Sequence, residues 1–142
     1  MIWKKKCGRM ENKMINFRIS GNPVSSKNSR PIFFNKSTGA RFIGKSKSLK
    51  DYIDNGLYEL KRQKLDLSYA YNFPREMDIE IKFTFYVKDN RKRDLINLCQ
   101  APLDLLQKAE IISDDSIVKS LDGSRIYIDK INPRTEIEIK II

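Results

Sequence analysis

The stretch "MDIEIKFTFYVKDNRKRDLINLCQAPLDLLQKAEIISDDSIV", Met77 to Val118, decides the fold, because two periods meet inside it. From Met77 to Val87 apolar and polar residues alternate, the signature of a strand with one buried face. After the basic run Arg91–Arg93 the period changes. On a helical wheel at about 100° per residue, Leu95, Leu98, Cys99, Pro102, Leu105, Leu106 and Ala109 share one arc. Asn97, Gln100, Asp104, Gln107 and Lys108 occupy the opposite arc, with Ile96 and Leu103 at the boundary. A helix of this kind following a strand packs its apolar arc on the sheet. Pro102 lacks an N–H, so the helix either begins near Asn97 or bends at Pro102. Asp94 then stands at or before the helix N-terminus, where a carboxylate is favourable.

Working outward, "INFRISG" (Ile15–Gly21) alternates and reads as a strand. In "NPVSSKNSRPIFFNKSTGARFIGKSKS" the Pro, Ser, Asn and Gly residues mark loops, and "PIFF" and "ARFI" flank the turn "NKSTG" as a short hairpin. In "SLKDYIDNGLYELKRQ", Leu49, Ile53, Leu57 and Leu60 recur at helical spacing behind Ser46 or Ser48 as the N-cap. After the Asp114-Asp115 pair, "SIVKSLDGSRIYI" and "RTEIEIKII" read as two more strands, with turns at Asp122-Gly123 and Asn132-Pro133. The expected fold is α+β: two helices packed on a small mixed β-sheet, with an N-terminal hairpin. Residues 1–14, with methionines at Met10 and Met14, read as a basic N-terminal extension to a single domain spanning 15–142.

At 142 residues, 40% of them hydrophobic and 32% charged, the chain suits one globular core. Its net charge of +10 attracts polyanions, nucleic acid first. The charge clusters at Lys4–Lys6, Lys45–Lys50 and Arg91–Arg93. There is no histidine, which excludes a Ser-His triad, a histidine base and a histidine metal ligand. Two cysteines, Cys7 and Cys99, are too few for a structural zinc site, and Cys99 belongs to the apolar arc. With no membrane-length apolar run and no signal-peptide core, the expected location is cytoplasmic, with no membrane partner. A hydrolase built this way must use carboxylates, lysines and a hard cation such as Mg²⁺.

Asp94, Asp104 and the Asp114-Asp115 pair admit two readings. One is a metal-binding catalytic site. The other is a helix cap, a solvated face residue and an acidic turn, which periodicity alone favours. The motifs themselves weigh for the first. "RDLINL", Asp104 within "LDLL", and "AEIISDDSIV" resemble the core motif of the RusA-type Holliday junction resolvases. "ISGNPVSSKNSRP" resembles that family's first strand and basic loop, and "IYIDKINPRTEIEI" its final lysine and strand pair, so the resemblance runs from residue 15 to the end.

Members of that family are phage- and prophage-associated, homodimeric, Mg²⁺-dependent endonucleases that cut four-way DNA junctions in recombination and repair. The resemblance implies a RusA-like homodimer acting on branched DNA with Mg²⁺, or Mn²⁺ in its place, and no small-molecule cofactor. It implies Asp94 and Asp115 as metal ligands, with Asp114 and Asp104 as further catalytic carboxylates. Lys27, Asn28, Arg30, Arg91, Lys92, Arg93 and Lys130 are implied as DNA contacts.

Three positions depart from the pattern. Ile96 replaces the second acidic ligand, Gln100 replaces a lysine, and Glu110 replaces a turn glycine. Mg²⁺ commonly takes only one or two protein carboxylates, so Asp94 and Asp115 suffice for a single ion. The expectation is a slow or conditional nuclease. The alternatives are a RusA-like protein that binds branched DNA without cutting it and a non-catalytic basic nucleic-acid-binding module. Neighbouring strand residues point to opposite faces, so Asp114 and Asp115 can share a site only from a turn. Phe33, Phe34 and Phe42 are expected to pack within the hairpin rather than to stack on unpaired bases. Tyr52, Tyr58, Tyr69 and Tyr71 form no pattern.

Overall fold

Along the chain run β1 (Ile15–Ser20), β2 (Ile32–Phe34), β3 (Arg41–Ile43), α1 (Lys47–Asp66), β4 (Ile79–Val87) and α2 (Leu95–Lys108). A 3₁₀ turn (Asp115–Ile117), β5 (Val118–Ser120), β6 (Arg125–Ile128) and β7 (Arg134–Ile141) follow. This is a computed structural model that describes residues 14–26, 32–44, 46–67 and 72–142. Residues 1–13 of the expected basic extension lie outside the described residues, as do Lys27, Asn28, Arg30, Lys45, Tyr69 and Tyr71.

The alternation seen in the sequence becomes β4, whose Ile79, Ile81, Phe83, Phe85 and Val87 are buried while the residues between them are half exposed. β4 pairs antiparallel with β7, and β7 with β1, so β1 and β4 run the same way. The other edge of β4 carries β5 and β6, both parallel to it. The sheet is therefore mixed, in the order β1-β7-β4 with β5 and β6 sharing the last edge. The expected pair of late strands becomes three, because the run after the acidic pair breaks at Asp122-Gly123. Gly123 takes φ +81, and the Ser124 hydroxyl accepts the Phe83 amide at 3.1 Å where a ladder carbonyl would stand.

α1 starts at the Ser46 cap, whose Oγ accepts the Leu49 amide at 3.2 Å. Leu49, Tyr52, Gly56 and Leu60 are its buried residues. At Gly56 the helices come so close that an added Cβ would lie 2.7 Å from a Leu105 methyl. Tyr52, uninterpretable in the sequence, proves to be core: its hydroxyl bonds Thr135 Oγ1 at 2.8 Å, and both residues are buried. α1 also covers the open edge of β1. Gln63 bonds both the amide and the carbonyl of Arg18, and Glu59 accepts the Ser20 amide, which removes an edge open to another strand.

α2 begins at Leu95, not near Asn97, and runs through Pro102. Leu98, Cys99, Ala101, Pro102, Leu105 and Leu106 are buried as the wheel placed them, with Ala101 added. Burial pushes the Cys99 thiol up to about 11. No helix among the described residues is long and apolar enough to cross a membrane.

Candidate active site and nucleic-acid interface

The acidic end lies where α2 turns toward β5. Asp114 caps the 3₁₀ turn: its Oδ1 accepts the Ser116 amide at 3.0 Å and its Oδ2 meets Arg75 at 3.2 Å. Both members of the pair sit on this turn and hydrogen-bond each other, which two extended residues could not do. The Ser116 amide, then Asp115, then Arg75 hold the Asp114 carboxyl down at about 2. The same contact raises Asp115, helped by partial desolvation and by the charges of Asp114 and Asp104. A proton shared by the pair therefore rests on Asp115, because Asp114 already has two donors. Asp104 faces this end from α2 and accepts Gln100 Nε2 at 3.0 Å.

The basic end lies at the other terminus of α2. Asp94 caps the helix, its Oδ1 accepting the Ile96 amide at 3.0 Å. It borders a cleft of about 350 Å³ lined by Asn22–Ser25, Ser48, Lys88, Arg91 and Lys92 among others. The first turns of both helices meet this cleft, through Ser48 of α1 and Asp94 of α2. Helix N-termini carry partial positive charge, and with Lys88, Arg91, Lys92 and Arg93 outnumbering Asp89 and Asp94 along its lining the cleft suits a phosphate backbone. Arg91 and Lys92 are exposed, as a DNA contact requires. Arg93 is not: it is 15% exposed and bonds Asp89 Oδ1 at 2.7 Å and the Asp89 carbonyl at 3.0 Å. Its guanidinium shapes the loop, and Asp89 is correspondingly held below its ordinary value, first by that bond. Lys130 is exposed in the loop after β6, which Asp129 N ties to Val87 O at 2.8 Å, at the same end of the sheet. Lys88 escaped the sequence reading, although a lysine closing a strand beside a basic run was a signal for it, and Ser48 entered that reading only as a candidate helix cap.

The two ends do not meet. Val118, three residues after Asp115, pairs with Ile79 at the start of β4, whereas Lys88 at its finish bonds Asn22 on the cleft wall. Nine strand steps at about 3.3 Å separate those positions by about 30 Å. Along α2, ten positions at about 1.5 Å put Asp94 about 15 Å from Asp104, and Asp104 is the helix carboxylate whose charge acts on Asp115. The structure thus brings Asp104, Asp114 and Asp115 together and leaves Asp94 apart. Among the described residues no group of three or more acidic or cysteine side chains is arranged to hold a metal ion. The donors of one protomer do not fit an ion shared by Asp94 and Asp115.

Compared with known families, the chain matches the model of endodeoxyribonuclease RusA over residues 20–140. The chain belongs to the RusA family. No curated protein matches it. The three positions expected to depart from the RusA motif have a visible setting. Ile96 stands with 77% of its surface exposed, one turn from the basic cleft. Gln100 spends its amide on Asp104. Glu110 adopts φ +57, the left-handed conformation that glycine takes without strain. Of the remaining cations, Lys119 is tied to the Ser116 carbonyl at 3.0 Å, beside the acidic end.

Proposed function

We propose that this RusA-family protein is a structure-specific endodeoxyribonuclease of four-way DNA junctions, working as a homodimer in phage or prophage recombination. The observation that supports it best is Asp94. A carboxylate lining a cleft with Lys88, Arg91 and Lys92 opposes phosphate binding, and its helix cap uses only Oδ1, which leaves Oδ2 for chemistry. A homodimer answers the separation of the two ends. Each protomer offers a basic end with Asp94 and an acidic end with Asp115, and the two ends come together only if different copies supply them. The bound Mg²⁺ or Mn²⁺ of such a site would supply a Lewis acid for phosphodiester hydrolysis. The chain's own residues would position the backbone in the cleft and leave Asp94 with one oxygen outside its helix cap.

The test is incubation with a synthetic four-way junction and with a linear duplex, each with Mg²⁺ or Mn²⁺. Paired nicks near the branch and an intact duplex are expected. Tight junction binding with no cleavage in either metal would overturn the nuclease reading. It would favour instead a junction-binding protein that has lost cleavage, the reading that exposed Ile96 and the Gln100–Asp104 bond support.

A further inference from the structure

On the hairpin β2–β3, Phe34 is not packed as expected, and the Phe42 side chain lies outside the described residues. Ile32 is 70% exposed, Phe33 40% and Phe34 62%. β2 pairs with β3 alone, with Phe34 opposite Arg41, so an aromatic ring and a guanidinium stand side by side on one face, with Ile32 on the same face. Phe33 points the other way and lies over Gly44, its ring 2.5 Å from where a Cβ would be. Cross-strand neighbours lie on the same side of a ribbon and successive residues on opposite sides.

Two further observations say what this face meets. Between Ile32 and Gly44 the hairpin carries Lys36 and Arg41 and no acidic residue. Ser25, before the hairpin in the chain, and Ser48, after it, both line the basic cleft. The hairpin thus lies in the chain between two residues of the cleft wall.

We propose that the β2–β3 hairpin is a base-stacking finger: Phe34, flanked by Ile32 and Arg41, stacks on an unpaired nucleobase while the cleft holds the adjoining phosphates. The proposal rests on the reading of the cleft as a DNA site, and it assigns the preference for branched over linear DNA to the hairpin. Every base offers a π-face, so the contact is insensitive to sequence, and an arginine beside the ring adds attraction to base and phosphate alike. In a closed duplex the bases are stacked already and the finger has nothing to engage.

The experiment uses the full chain and three probes: a four-way junction with 2-aminopurine at the branch, a linear duplex of equal length, and a single strand. Phe34→Ala is expected to weaken junction and single-strand binding about tenfold, the effect of one lost stacked base, and to leave duplex binding unchanged. Phe34→Trp should retain binding, and the change in 2-aminopurine fluorescence on binding should vanish only with alanine. Equal affinities for wild type and Phe34→Ala, or an equal loss on all three probes, would overturn the assignment. So would a change of sedimentation mass with DNA binding intact, which would make the face a contact between copies. If wild type ignored the branch but lost single-strand binding on Phe34→Ala, the junction reading would fall and the stacking finger would stand.

Discussion

An isoleucine with 77% of its surface in water forgoes the 1.5–3 kcal/mol, roughly, that burial of such a side chain returns. Ile96 does so two residues beyond Asp94, where the motif resemblance implies an acidic ligand. Ile96→Asp is therefore expected to raise Mg²⁺-dependent junction cleavage, and Ile96→Asp with Gln100→Lys to raise it further, together by about 10²-fold. Initial rates on a labelled junction measure this. An unchanged rate would show that the acid is not what the site lacks. The acidic pair carries a pH dependence of two signs. Asp114 is held down, so its contribution to stability is present above the ordinary aspartate range and disappears as pH falls toward about 2. Asp115 is held up, first by its hydrogen bond to Asp114, so its contribution is full below the ordinary value of 3.8 and is lost as pH rises through its raised value. Once ionised, Asp115 faces the like charges of Asp114 and Asp104. Asp115→Asn is expected to melt higher than wild type at pH 7 and equally at pH 3, as read by circular dichroism. A lower melting point at pH 7 would mean that the ionised carboxylate is stabilised in the fold.

At the scale of elements, the end of α2 is where sequence and backbone disagree most visibly. Glu110 N bonds Gln107 O at 3.0 Å and Ile111 N bonds Leu106 O at 2.9 Å, the reciprocal pair that closes a helix through one left-handed residue. That residue is Glu110 at φ +57. Its carbonyl accepts a bond from Lys64 Nζ at 2.7 Å, and any residue supplies that carbonyl. Glu110→Gly should therefore stabilise by about 1 kcal/mol and raise the melting temperature by about 3 °C, with junction binding unchanged. A lower melting point would mean that the glutamate side chain is more useful there than the geometry shows. The elements most legible in the sequence were those specified by their own residues. The alternation of β4, the apolar arc of α2 and the Ser46 cap need no distant partner to be recognised. The late strands were harder, because a bulge patched by Ser124 depends on its neighbour β4. The exposure of Phe34 was missed for a similar reason: whether an aromatic residue is covered depends on what folds over it, and its own neighbours do not say. The site's residue types could be read, but their arrangement could not. Asp94 and Asp115 are set apart by the parallel pairing of Val118 with Ile79, a contact between segments distant in the chain.

For the whole molecule that separation makes the proposed dimer part of the proposed chemistry. If each site takes Asp94 from one protomer and Asp115 from its partner, a two-fold dimer holds two equivalent composite sites. Asp94→Asn keeps the helix cap, since asparagine caps as well as aspartate, and Asp115→Asn removes charge from an exposed turn residue, so both variants should fold. Each alone is expected to be inactive, because every site of its homodimer lacks one carboxylate. Mixed dimers differ. One of their sites has lost both groups, but the other pairs an intact Asp94 with an intact Asp115. Refolding the two variants together should then restore cleavage to about a quarter of wild type, since half of randomly paired dimers are mixed and each has one working site. The restored activity should nick one strand rather than resolve the junction, because the second cut needs the second site. Gel analysis of a junction labelled on opposing strands distinguishes the outcomes. If sedimentation confirms mixed dimers and no nicking returns, Asp94 and Asp115 do not complete one another across the interface, and the two ends of α2 serve separate purposes.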